Sequence, residues 1–135
     1  MIKESYVSFE TARLLKEKGF PQHITSHTYF VGDDKKRGCV VGEFIGHPSI
    51  ETDIHLIDAP TQQMALQWLR EKGIIITMDY DEYELADSDE KQVGYGWGIQ
   101  KTEKPTEYLK ISIHVFDNYK EAVEDAIKYC LTNLV

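Results

Sequence analysis

An α+β fold is what the 135 residues predict: a mostly antiparallel sheet of about five strands, with three helices packed mainly on one face. Three observations lead there. Ala59 to Ile74 reads as a capped helix that runs through Gly73 straight into a strand. Leu109, Ile111, Ile113 and Val115 alternate with Tyr108, Lys110, Ser112 and His114, the period-two pattern of a half-buried strand. Tyr119, Val123, Ala126, Ile127, Cys130, Leu131 and Leu134 recur at helical spacing and make one long apolar stripe.

From the N-terminus, Val7-Ser8-Phe9-Glu10 opens the first helix, with Ser8 as N-cap and an acid near the positive end of the helix dipole. Phe9, Ala12 and Leu14 or Leu15 form its inward stripe. Gly19 supplies a left-handed stop and Pro21 prevents continuation. Ile24 to Val31, rich in Thr, Tyr, Phe and Val, reads as a strand. Gly32 to Gly38 is a polar turn, and Cys39 to Ile45 returns as the second strand of a hairpin. Gly46 to Thr52 is a loop, and Asp53 to Ile57 a short edge strand.

In the central helix Pro60 fits the first turn, where its missing N–H is no loss, and Thr61 is an alternative N-cap. Ala65, Trp68 and Leu69 define the buried stripe, broadened by Met64 and Leu66, while Gln62, Gln63, Gln67, Arg70 and Glu71 face water. The stop in Leu69 to Ile74 repeats that of Leu15 to Phe20 in kind, but the flanking lengths differ too much for an internal repeat. Ile74 to Met78 is a strand, and Asp79 to Lys91 continues as a strand end and an exposed turn at Asp87-Ser88-Asp89. Val93, Tyr95, Trp97 and Ile99 alternate with Gly94, Gly96 and Gly98; Glu103 to Thr106, with Pro105, turns again. Asn118 caps the last helix, with Glu121 placed as in a capping box. Short turns after Thr61 predict an antiparallel meander, which the first hairpin extends.

This length fits a single domain, 1–135, able to bury a core without staples. The net charge of −8 works against a surface that tracks phosphates, so no nucleic-acid partner is expected. No apolar run approaches membrane-spanning length and Met1-Ile2-Lys3-Glu4 is no signal peptide, so the expectation is a cytoplasmic protein with no membrane partner. Cys39 and Cys130 lack metal or redox spacing and read as reduced thiols; Cys130 lies on the core face of its helix.

The candidate sites are few. Gly94 to Gly98, GYGWG, lies within a strand pattern and lacks the spacing of a phosphate-binding loop. It puts Tyr95 and Trp97 on one face and bare backbone on the other, which a helix, a second subunit or a flat ligand can approach. Tyr95 and Trp97 are the candidate ligand-binding residues: outward they form a stacking platform, inward they are core. Asp79, Asp81, Glu82, Glu84, Asp87, Asp89 and Glu90 form an acidic run. It reads as an edge-protecting solvated hairpin, with a divalent cation as the alternative and no calcium-loop pattern. His23, His27, His47, His55 and His114 make no recognisable ligand set, although His47 and His55 flank Glu51 and Asp53. No catalytic residue, metal ligand set or cofactor is assigned. The helix–three strands–helix order after Thr61 is also that of double-stranded-RNA-binding domains. Their basic loops are absent, so the analogy stops at topology.

SFETARLLKEKGF from Ser8, APTQQMALQWLREKGI from Ala59 and EAVEDAIKYCLTNLV from Glu121 resemble a family of small uncharacterised proteins encoded in gut-bacterial genomes, phages and prophages. The resemblance covers about a third of the chain, at both ends and the middle, and neither the intervening strands nor the acidic hairpin. It implies a phage-associated origin and supports the helix placement, and it transfers no activity or site residue.

The expected function is a non-enzymatic interaction module, a phage or prophage accessory factor. It would bind a protein partner or small ligand through a sheet edge or the Tyr95–Trp97 strip. A metal-assisted hydrolase using the acidic run with a histidine is the alternative, and a homodimer pairing exposed edges a third. If the strip is a surface, replacing both aromatics abolishes binding without unfolding.

Overall fold

The computed structural model describes residues 5–22, 27–34, 38–45, 54–84 and 91–135, with backbone alone at 30–34, 38–45, 54–56 and 84. His23, Ile24, residues 35–37 of the expected polar turn, His47 with the rest of the expected loop, and Asp87, Asp89 and Glu90 lie outside the described residues. The chain is an α+β protein with three helices and six strands among the described residues. It divides into two compact units, Met1–Thr61 and Gln62–Val135.

In the first unit α1 (Phe9–Glu17) starts as its sequence predicts: the Ser8 side chain accepts from the Thr11 N–H. Thr11, Ala12 and Leu15 are its buried residues. Gly19, at φ +93°, ends it in the left-handed region that a Cβ disfavours. β1 (His27–Asp34) and β2 (Gly38–Ile45) form the antiparallel hairpin, with strand pairing reaching farther into the polar turn than expected. β3 (Ile54–Asp58) pairs on the other side of β1, so the sheet order is β2-β1-β3 and β3 is an edge strand as read. Side chains tie the unit's ends together. The Tyr29 hydroxyl donates to the Val7 carbonyl at 2.9 Å, and the Asp58 N–H donates to the Gln22 side chain at 3.0 Å.

In the second unit α2 (Gln62–Glu71) begins just after Thr61, so Pro60 precedes the helix instead of occupying its first turn. Gln62 is buried, not wet: its amide donates to the Lys120 carbonyl at 2.9 Å, which removes the cost of desolvating it. Trp68 is half-buried, with the Lys72 ammonium 4.5 Å over its ring. Gly73, at φ +83°, leads into β4 (Ile74–Glu84), which pairs antiparallel with β5 (Lys91–Lys101) along its whole length. β6 (Lys104–Ile111) closes a second three-stranded sheet, β4-β5-β6. The single sheet of about five strands is therefore replaced by two separate ones, and the first hairpin does not extend the meander. α3 (Tyr119–Asn133) is capped by Asn118, whose side chain accepts from the Lys120 and Glu121 N–H groups. Val123, Ala126, Ile127, Cys130 and Leu131 are buried as predicted, whereas Tyr119 is exposed. Both helices pack on the β4–β5 part of the sheet and against each other.

Candidate functional site

The register of β4 on β5 sorts the side chains, because residues directly opposite share a face. Ile76 faces Ile99, Met78 faces Trp97 and Tyr80 faces Tyr95 on the side covered by the helices. Thr77 faces Gly98, Asp79 faces Gly96 and Asp81 faces Gly94 on the other.

Trp97 belongs to the core. It is 4% exposed, its indole N–H donates to Asp125 Oδ2 at 2.9 Å, and its ring lies 5.4 Å from that of Tyr129 on α3. Tyr95 is half-buried between Tyr80, 4.9 Å away, and Tyr119, 5.6 Å away. The stacking platform required both rings to point outward, and burial of Trp97 against α3 removes that arrangement. Asp125 was not among the residues singled out from the sequence, and nothing in its local sequence marks the indole bond.

The bare face of β5 is occupied by the chain's own side chains. A methyl group at Gly96 would stand 2.6 Å from the Tyr83 hydroxyl oxygen, and one at Gly98 2.5 Å from the Tyr108 ring. At Gly94 it would meet Val115 Cγ1 at 2.5 Å and the Phe116 carbonyl at 2.6 Å. The three glycines are thus sites of close approach. Tyr83 and Tyr108 line a cleft of about 250 Å3, with Asp79, Asp81, Ile111 and Ser112 also on its walls. Its two tyrosines were not read as site residues. The signal was present in the glycine alternation, which demands bulky neighbours on the flanking strands.

Electrostatics at the cleft follows from this placement. Partial burial, then the carboxylates of Asp79 and Asp81, push the Tyr83 phenol above its ordinary value of 10.0. Asp81 Oδ1 accepts from the Glu82 N–H at 2.7 Å.

β6 departs furthest from expectation. Its pairing with β5 shifts register around Gln100, where Tyr108 stands opposite Gln100 and Lys110 opposite Ile99, leaving Leu109 without a residue opposite. Lys110 therefore points to the helix side, its ammonium 5.9 Å over the Tyr129 ring, while Ile111 opposite Gly98 shares the cleft face. A one-residue slip exchanges the two faces of a strand. Of the expected buried face, Leu109 is 49%, Ile111 58% and Ile113 80% exposed while Val115 is half-buried, and Tyr108, expected on the wet face, is 52% exposed. The turn lies at Thr102–Glu103, and Pro105 sits inside the edge strand, where its missing N–H is tolerated.

Asp79 and Asp81 fall on one face and Glu82 on the other, as alternation predicts. Among the described residues no group of three or more His, Cys, Asp and Glu could hold a metal ion. His27 stacks on Tyr6 at 4.2 Å and His114 is exposed. Cys130 is a free thiol in the core, and burial pushes it up to about 12. Among the described residues no helix is long and apolar enough to cross a membrane.

Comparison of the chain with family models, with curated proteins and with solved structures finds no match.

Proposed function

We propose that the chain is a non-enzymatic interaction module that docks a protein partner on the outward side chains of β6 and the residues just after it. A role inside the cell as a phage or prophage accessory factor accords with the family resemblance of its helices. The observation that carries the reading is the exposure of Tyr108, Leu109, Ile111 and Ile113, four large apolar residues within six positions. Contiguous exposed apolar side chains on a folded protein mark a surface that is covered when the protein works.

The form of docking follows from the same strand. Pro105, Lys104, Lys110 and the register shifts at Gln100 are devices that discourage another chain from simply adding a strand. The partner then reads side chains across the strand, not its backbone edge.

The test is a reconstituted complex. A protein cross-linked to the chain in cells is purified separately, and its affinity is measured by calorimetry for the wild type and for Ile111→Ser with Ile113→Ser. The expected result is at least about a tenfold loss of affinity with an unchanged circular dichroism spectrum and melting point. A complex indifferent to both substitutions overturns the reading. So does light scattering that shows a homodimer dissociated by the same changes, because the surface is then covered by a second copy.

A further inference from the structure

The geometry points to the glycine-face cleft as the receptor for an arginine or lysine side chain of the docked protein. The inference rests on the interaction role of β6 proposed above and names what the partner must carry.

Four features converge. The cleft, about 250 Å3, is of a size for one side chain, below that of a drug-sized ligand site. Tyr83 and Tyr108 line it with phenol rings, and a cation held against such rings is attracted by their quadrupole. Asp79 and Asp81 stand on the same face of β4, so two carboxylates oppose the incoming charge. Ile111 forms a wall from β6, giving the alkyl stem of a long basic side chain an apolar surface to lie on.

The carboxylates alone would be a solvated strand end. The phenol walls above Gly96 and Gly98 turn them into the charged end of a concave site, since neither ring could lie there over a side chain. Asp79 and Asp81 line the cleft beside Tyr83, whose phenol is raised by partial burial and then by both aspartates. Anionic partners are disfavoured by those carboxylates and by the net charge of −8.

The site also couples specificity to the apolar surface. Tyr108 and Ile111 belong both to the exposed strip and to the cleft, so one segment can cover the strip and insert a basic residue. The required partner sequence is an apolar stretch interrupted by Arg or Lys.

The experiment uses the full chain, labelled with nitrogen-15, and three acetylated, amidated peptides: Leu-Ile-Arg-Ile-Leu, the same with citrulline, and the same with Glu. Citrulline keeps the shape of arginine and removes its charge. The expected result is that the arginine peptide binds roughly tenfold more tightly than the citrulline one, the combined scale of a cation–π contact and an ion pair. Its shifts should centre on the amides of Gly96, Gly98 and Ile111. The preference should fall to about threefold, the share left by the rings, in Asp79→Asn with Asp81→Asn, and weaken in Tyr108→Leu. Tyr83→Phe, which keeps the ring, should retain it.

If arginine and citrulline peptides bind alike, or the full preference survives loss of both aspartates undiminished, the inference is wrong while the docking role stands. If no peptide perturbs Leu109, Ile111 or Ile113, the docking role itself fails with it. Arginine amide binding as tightly as the arginine peptide would make the site one for a free small cation, which also overturns the inference.

Discussion

The two faces of the β4–β5–β6 sheet are built from the same three strands and behave as opposites. On the helix side Trp97 and Ile99 are buried beneath α3, and the one indole N–H among them is matched to Asp125. On the other side Gly94, Gly96 and Gly98 present no side chains; tyrosines from the neighbouring strands lie over Gly96 and Gly98 beside two carboxylates and exposed isoleucine, and Val115 and the Phe116 carbonyl lie over Gly94. Apolar and aromatic residues stand on both faces, Trp97 and Ile99 on one and Tyr83, Tyr108 and Ile111 on the other. What separates a core from a binding surface is whether an element of the chain covers it, which periodicity does not report.

The contrast is broken most directly from the helix side. Ile127→Asp puts an unpaired charge in a fully buried position of α3 and should unfold the second unit, seen as loss of near-ultraviolet circular dichroism. Next in size, Trp97→Ala should cost about 3–5 kcal/mol in denaturant melts, because it opens a large cavity and strands Asp125. Full stability in Trp97→Ala would mean that the strip is surface after all.

The glycine face gives a graded test. Gly94→Ala should cost about 1–3 kcal/mol because the Phe116 carbonyl in its way is main chain. Gly96→Ala should cost less, since the Tyr83 hydroxyl is the far end of a side chain that can swing aside. Equal costs would show that Tyr83 is as rigidly held as the backbone. On the outer strip, Ile113→Ser should change stability by no more than about 0.5 kcal/mol, since the residue is 80% exposed.

Alkaline pH probes the core from within. The folded chain holds the Cys130 thiol near 12 against an ordinary 9.0, so the unfolded state releases that proton first. This contribution is intact below pH 9 and is lost as pH rises from there toward about 12. In a Cys39→Ser background, melts across that window should show falling stability, and at pH 8 a thiol reagent should label Cys130 only as fast as the chain opens. Rapid labelling of the folded protein would contradict its burial.

Local signals carried much of this fold. Ser8 and Asn118 cap because their side chains reach N–H groups two or three residues ahead, and Gly19 and Gly73 stop helices through their own φ. The β1–β2 hairpin and the β3 edge were legible for the same reason. The candidate site was half legible. The glycine alternation announced a close approach, and the acids alternated as expected. Tyr83 and Tyr108 could not be singled out, because their positions over Gly96 and Gly98 depend on the register of three strands. Gln62 was misread because its partner, the Lys120 carbonyl, lies 58 residues away.

By itself, the sequence determined where α1 and α3 begin, where α1 and α2 stop and which residues of β4 and β5 share a face, since those properties depend on neighbours within a few positions. Only the tertiary structure decided that the strands form two sheets, that Trp97 is core, and that β6 turns its apolar side outward. Those outcomes depend on long-range pairing and on what covers each face. A register shift at Gln100 exchanges the faces to which the side chains of β6 point without altering its sequence pattern.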